Sequence, residues 1–298
     1  MSKFRLKTLK TANFMAGTAS SLAEIKRHRK LADLSCRLST PRGNMERRRF
    51  SVANICCEEF RPVSGFDPDH VILYCHGGGY ISGGIDYTGN LAVKLALATG
   101  FTVYSFAYRL APENPYPAAA DDAYAVWNYI IENVAEAGRI FLAGDSAGGN
   151  MALCLTQRLM AEGKPAPREL LLFSPWTDMT GTQESYESNR NIDPILTRDF
   201  VMNAAKAYIG DGNPADVAFS PLFGSFEQFP PVYIMAGRNE ILIDDSMRLK
   251  ECIEQAGGSA YLDVEEKGWH VYQHLPGPMA RRAMNRLAEH VSHELYGK

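Results

Sequence analysis

From about residue 70 onward this chain alternates short apolar runs with helix-length amphipathic segments, a pattern that few folds accommodate. The runs Val71–Cys75, Phe101–Ala107, Arg139–Ala143, Glu169–Phe173, Val232–Ala236 and Ala260–Glu265 are largely apolar on both faces, as strands covered from each side must be. Helical stretches near 88–99, 118–133, 147–162, 197–209, 244–257 and 278–294 separate them. Repeated β-α alternation predicts a mostly parallel, doubly wound sheet with helices on both faces and right-handed crossovers. The stretch Arg49–Arg61 reads as one or two further strands, an antiparallel edge ahead of the first crossover.

Two regions break the alternation. Residues 1–45 read as helical, with Leu22, Ile25, Leu31, Leu34 and Leu38 forming a rough apolar stripe. Residues 175–225 are long, polar and turn-rich apart from one helix. Both are expected over the carboxyl ends of the strands, where open α/β sheets bind ligands. The expected organisation is a helical cap segment at 1–45 and an α/β domain at 46–298 with a cap-contributing insertion at about 175–225.

Composition narrows the class. A hydrophobic fraction of 46% with 22% charged residues describes an ordinary globular protein. Residues 1–50 carry thirteen Lys and Arg against Glu24, Asp33 and Glu46, a local charge of +10 within a chain whose net charge is −3. Solvated bases on a cap helix explain this charge better than a membrane-surface helix does, because the apolar stripe is irregular. No apolar segment follows the first basic residues as a signal peptide would require, and no run reaches the ~18 apolar residues of a membrane span. A cytoplasmic protein is expected. The six cysteines show no C-x-x-C or zinc spacing, so reduced thiols are expected and no metal.

Gly144-Asp145-Ser146-Ala147-Gly148 is a G-x-S-x-G pentapeptide between an apolar strand and a helical segment. A nucleophile elbow needs that strand-to-helix turn and small residues on both sides of the serine. The alternative is a glycine-rich turn with an idle serine, which the strand-helix context disfavours. His76-Gly77-Gly78-Gly79 follows the first strong strand. Consecutive glycines can aim backbone N–H groups at one point without side chains blocking a carbonyl. Gly77, Gly78 and Gly79 are therefore candidate oxyanion donors with Ala147, Gly78 and Gly79 foremost. A phosphate-cradling loop is the rival reading, but its lysine is absent. His76 lies on the wrong side of this run for a base and is expected to orient the loop.

Three motifs in this order, His76–Gly79, Tyr108-Arg109-Leu110-Ala111-Pro112-Glu113 and Gly144–Gly149, resemble the hormone-sensitive-lipase-like family of carboxylesterases. The similarity spans roughly residues 60–295. It implies an α/β-hydrolase fold, a mostly N-terminal helical cap, no cofactor, and hydrolysis of short- to medium-chain acyl esters. A small-molecule ester is then the expected partner, with no nucleic acid; a homodimer is one option for the assembly. Tyr108–Glu113 reads as structural. The acid and then the histidine should follow the serine along the chain. His270, in a Gly-Trp-His loop after the last strand, stands where the family places its base. His274 is the alternative, while His290 and His293 fall on a charged helix and read as solvated. The family's acid motif is G-x-x-D-x-L-x-D, and this chain has Gly237-Arg238-Asn239-Glu240-Ile241-Leu242-Ile243-Asp244. Glu240 occupies the catalytic slot and Asp244 the supporting one, which makes Asp244 the alternative acid. Rival activities on the same Ser-His-Glu triad are a deacetylase, an amidase or an acyltransferase; a non-catalytic small-molecule receptor is disfavoured by the intact set.

Overall fold

A computed structural model describes residues 18–41 and 43–297. Among them, eight strands form one sheet in the order β1-β2-β4-β3-β5-β6-β7-β8. The strands are β1 (Met45–Val52), β2 (Ile55–Pro62), β3 (Asp67–Cys75), β4 (Phe101–Ala107), β5 (Ile140–Asp145), β6 (Glu169–Phe173), β7 (Val232–Gly237) and β8 (Ala260–Glu265). The β1–β2 and β2–β4 pairs are antiparallel and the rest parallel. The long helices are α1 (Leu22–Ser39), α2 (Ile85–Thr99), α3 (Ala118–Asn133), α4 (Ala147–Ala161), α6 (Arg198–Ile209), α7 (Ile243–Gln255) and α8 (Pro278–Tyr296), with one short turn of helix, α5, at Ser185–Ser188.

The both-face apolar runs have their cause in two cores. Successive side chains of a strand point to opposite faces. Ile72, Tyr74, Phe141, Leu171, Tyr233 and Met235 pack on one face with α2 and α8 through Leu91, Leu95 and Leu287. Leu73, Leu142, Leu170, Leu172 and Ile234 pack on the other with α3, α4 and α7 through Trp127, Met151, Leu155 and Leu249. The sheet is thus covered on both sides, and the parallel strands all end toward one edge of the layer.

The edge differs from the centre. β1 and β2 form a hairpin whose two-residue turn, Ala53-Asn54, has positive φ at both positions (49° and 68°), the twist a tight hairpin requires. Arg48 sits opposite Glu59 and Arg49 opposite Glu58, and Arg47 pairs with Glu58 at 2.9 Å. Three of the bases counted in the first fifty residues therefore belong to a charged sheet edge, where they discourage strand pairing with other chains.

Helix α1 departs from the stripe read in the sequence. Leu22, Leu34 and Leu38 are 44%, 52% and 79% exposed, while Ile25 and Cys36 are buried. Polar anchors set its roll. Arg29 donates to the carbonyls of Ile81 and Ala111 at 2.6 and 2.8 Å and to Glu113 at 2.7 Å. Asn90 donates to Ser39 Oγ at 2.7 Å. His290 is a second departure: its Nε2 lies 2.5 Å from Glu169 Oε1 and its ring stacks on Tyr233, so it packs against the sheet rather than facing water. No helix among the described residues is long and apolar enough to cross a membrane.

Candidate active site

Ser146 ends the turn between β5 and α4 with φ 54° and ψ −118°. A non-glycine residue held there costs on the order of 1–3 kcal/mol, which the surrounding contacts must offset. Its N–H donates to the Phe173 carbonyl at 2.9 Å, and its carbonyl accepts from Asn150 and Trp176, each at 3.1 Å. The flanking glycines follow from close approach. A Cβ on Gly144 would stand 2.2 Å from the Gly148 carbonyl oxygen, and one on Gly148 would stand 2.0 Å from that of Cys75.

His270 lies in the loop after β8 and Glu240 in the turn after β7, so topology alone brings both to the end of β5. His270 Nε2 is 2.9 Å from Ser146 Oγ, and Nδ1 is 2.9 Å from Glu240 Oε2. With the Nδ1 proton donated to Glu240, Nε2 is left to accept from the serine hydroxyl. Glu240 is fully buried, and its other oxygen accepts from the Gly237 N–H at 3.1 Å. Ser174 Oγ accepts from the Val271 N–H at 3.1 Å and pins the histidine loop. Burial acts to lower the His270 pKa, but the hydrogen bond and charge of Glu240, with the charges of Asp193 and Asp145, leave it above its ordinary 6.5. Asp244 is elsewhere: its carboxylate accepts from the Ser185 N–H at 2.8 Å.

The glycine run divides. The Gly77 N–H donates to Asp145 Oδ1 at 2.8 Å, so this amide is committed and Gly77 drops out of the expected donor set. Gly78 and Gly79 have φ of 105° and 64°, both line the cavity at Ser146, and their N–H groups find no acceptor among the described residues. Ala147 opens α4, where a helix N–H has no intrahelical partner. His76 stacks on Tyr108 with ring centroids 4.0 Å apart, and Tyr108 donates to the His76 carbonyl at 2.9 Å. Burial pushes the His76 pKa down to about 4, so the ring stays neutral. The Tyr108–Glu113 stretch thus braces the glycine loop and, through Glu113, meets Arg29 of α1.

His274 makes a second pair, with Nε2 3.2 Å from Asp145 Oδ2. Asp145 also accepts from Tyr74 at 2.5 Å. Burial acts to raise the Asp145 pKa, yet the His274 contact, Tyr74 and the Gly77 amide hold it below 3.8.

A residue that motif reading missed is Asp193. It is buried, its Oδ1 accepts from Ile195 and Leu196 N–H at 2.8 and 3.0 Å, and its Oδ2 accepts from Ile241 N–H at 2.9 Å. Only the Asp-Pro pair in a polar loop marked it in the sequence, and that pair says no more than "turn".

Around Ser146 lies a cavity of about 290 Å³. Helix α1 contributes His28, Leu31, Ala32, Ser35 and Cys36; α6 contributes Phe200, Val201 and Ala204; Trp176, Ile195, Leu196, Leu242 and Trp269 are among the other lining residues. Burial lowers His28 to about 4 and raises the Cys36 thiol to about 12, so both stay uncharged. Among the described residues no cluster of His, Cys, Asp and Glu is arranged to hold a metal ion.

Comparison with known proteins gives a consistent result. The profile of the alpha/beta hydrolase fold matches residues 72–274. An esterase of Acinetobacter venetianus is 32% identical over 88% of this chain and 86% of its own. The carboxylesterase NlhH of Mycobacterium tuberculosis is 35% identical over 72% and 71%. A crystal structure of an esterase from the bacterial hormone-sensitive lipase family superposes with a TM-score of 0.89 at 30% identity, covering 98% of both chains.

Proposed function

We propose, for a chain that belongs to the α/β-hydrolase fold family and is a serine hydrolase of the carboxylesterase type, that Ser146, His270 and Glu240 act as nucleophile, base and acid. The observation that carries this reading is the unbroken line Ser146 Oγ, His270, Glu240, with 2.9 Å at each step, opening into an apolar cavity. His270 Nε2 takes the Ser146 hydroxyl proton as Oγ attacks the ester carbonyl carbon. The carbonyl π electrons move onto oxygen, and the Gly78, Gly79 and Ala147 N–H groups hold that oxyanion. Collapse breaks the bond to the alcohol, which leaves with the proton from His270. Water then repeats the sequence on the acyl-enzyme, yielding the acid and free Ser146. Glu240 holds the imidazole orientation and stabilises the imidazolium without taking its proton.

Substrate size follows from the walls. About 290 Å³ stands at the small end of ligand pockets, which run about 300–1,000 Å³. Short- to medium-chain acyl esters suit it, with α1 and the helix of the 175–225 segment serving as the cap. An acetyl-hydrolase of Streptomyces hygroscopicus, 31% identical over 78% of each chain, favours the acetyl group as one acyl that fits. Ser146→Ala tests the reading. The variant is expected to lose p-nitrophenyl ester hydrolysis and labelling by a fluorophosphonate together; surviving label would assign the nucleophile elsewhere.

A further inference from the structure

The segment 185–196 grips the turn that carries Glu240 at four points. Asn189 Nδ2 donates to the Arg238 and Glu240 carbonyls at 3.1 and 2.9 Å, Ser185 Oγ donates to the Ile241 carbonyl at 2.6 Å, and Asp193 accepts from the Ile241 N–H at 2.9 Å. Three of these are neutral contacts. The fourth uses a carboxylate, buried to 4% exposure. The same carboxylate also fixes the Ile195 and Leu196 amides, and both residues line the cavity. Its partner Ile241 directly follows Glu240, whose Oε2 lies 2.9 Å from His270 Nδ1, so the Asp193 carboxylate sits one residue behind the group that faces His270, and the two charges act on each other's titration.

We propose that Asp193 is a positioning residue for ester hydrolysis: one carboxylate locks the acid turn to the cavity wall and sets a second buried negative charge beside the His270 imidazole. This rests on the Ser146–His270–Glu240 reading. Through the turn, Asp193 keeps Glu240 within reach of Nδ1. Through space, it favours the imidazolium that forms as Ser146 attacks, as a nearby opposite charge must. The groups facing His270 are then Glu240 from the turn after β7, Asp193 from the 185–196 segment and Asp145 from the end of β5. Burial pushes Asp193 itself up to about 6, against the pull of His270 and the three amides, so its charge is present at neutral pH and fades in mild acid.

The test is the pH profile of kcat and kcat/KM for p-nitrophenyl acetate. Asp193→Asn keeps the size but removes the charge and turns one acceptor into a donor. It should lower kcat by about tenfold or more and change KM by less than about threefold. It should also move the acid limb of kcat/KM to lower pH, since His270 loses a neighbour that favours its charged form. Asn189→Ala loosens the same turn without altering charge, so it should lower kcat and leave the limb in place. An unmoved limb in folded Asp193→Asn overturns the proposal, as does a loss confined to KM or to thermal stability. If that variant does not fold, Asp193→Glu decides: a limb at the wild-type pH with reduced kcat supports the role, and a shifted limb overturns it. Ser146→Ala and Glu240→Gln run beside these; hydrolysis surviving in either would break the underlying triad reading, whatever Asp193 does.

Discussion

Two histidine–carboxylate pairs stand four residues apart on one loop, and the proposed triad draws on only one of them. His270 meets Glu240 at 2.9 Å and His274 meets Asp145 at 3.2 Å, so pairing alone does not separate them. What separates them is the other ring nitrogen. That of His270 faces a hydroxyl at 2.9 Å, whereas Nδ1 of His274 is buried with no partner among the described residues. The carboxylates differ as well. Glu240 has one backbone amide besides its histidine, while Asp145 is also engaged by Tyr74 and the Gly77 amide. In the proposed triad the first pair handles a proton that moves. The second ties the loop after His270, through Asp145, to the glycine run at Gly77.

The sharpest way to break this comparison is to remove each ring. His270→Ala is expected to lose about 10⁴–10⁶ in kcat, as a missing triad base does. A His274→Ala enzyme that is the more crippled of the two would transfer the base to His274. Next in size is Glu240→Gln, expected to cost up to ~10⁴ in kcat without unfolding the protein. Because Glu240 helps hold His270 above 6.5, the wild-type acid limb of kcat/KM should lie above that value and fall to lower pH in Glu240→Gln. A limb that stays put would mean that another group sets it. The smallest effect belongs to His274→Ala: activity within about fivefold of wild type, and a melting temperature lower by a few degrees. The sign with pH is fixed by Asp145. Its folded pKa is depressed, so its stabilisation is fully present above about 3.8 and is lost as pH falls through the folded value. Without His274 the folded pKa of Asp145 rises and this stabilisation shrinks, so the less stable variant should unfold at higher pH, which acid unfolding followed by circular dichroism would register.

Legibility in the sequence tracked how local each cause was. Strands β3 to β7 were readable because cover on both faces demands apolar residues at every position, a constraint written along a few consecutive residues. Ser146, His270 and Glu240 could be named together because each follows its own strand at a motif-fixed distance. The roll of α1 was not readable. Ile25 and Leu31 of its apolar stripe face inward, but Arg29, held on the Ile81 carbonyl, and Ser39, held by Asn90 of α2, leave Leu22, Leu34 and Leu38 exposed. Gly77 looked equivalent to its neighbours until its amide was found on Asp145, 68 residues away. Asp193 was the least visible, since its decisive bond to Ile241 crosses 48 residues and no local pattern announces it.

The seat of Gly148 against the Cys75 carbonyl has a consequence for how this enzyme can be reshaped. The strand that leads into the glycine run and the helix that follows Ser146 touch at a spacing no side chain could enter. Neither can be shifted without the other, so the atoms of the proposed reaction form a cassette with a fixed internal geometry. Variation in what the enzyme accepts has to come from outside that cassette. The walls drawn from α1 and α6 lie outside it and include Leu31, Phe200 and Val201. A library aimed at those positions would search substrate range with the chemistry held constant, whereas one spread over the glycine turns would mostly return inactive protein.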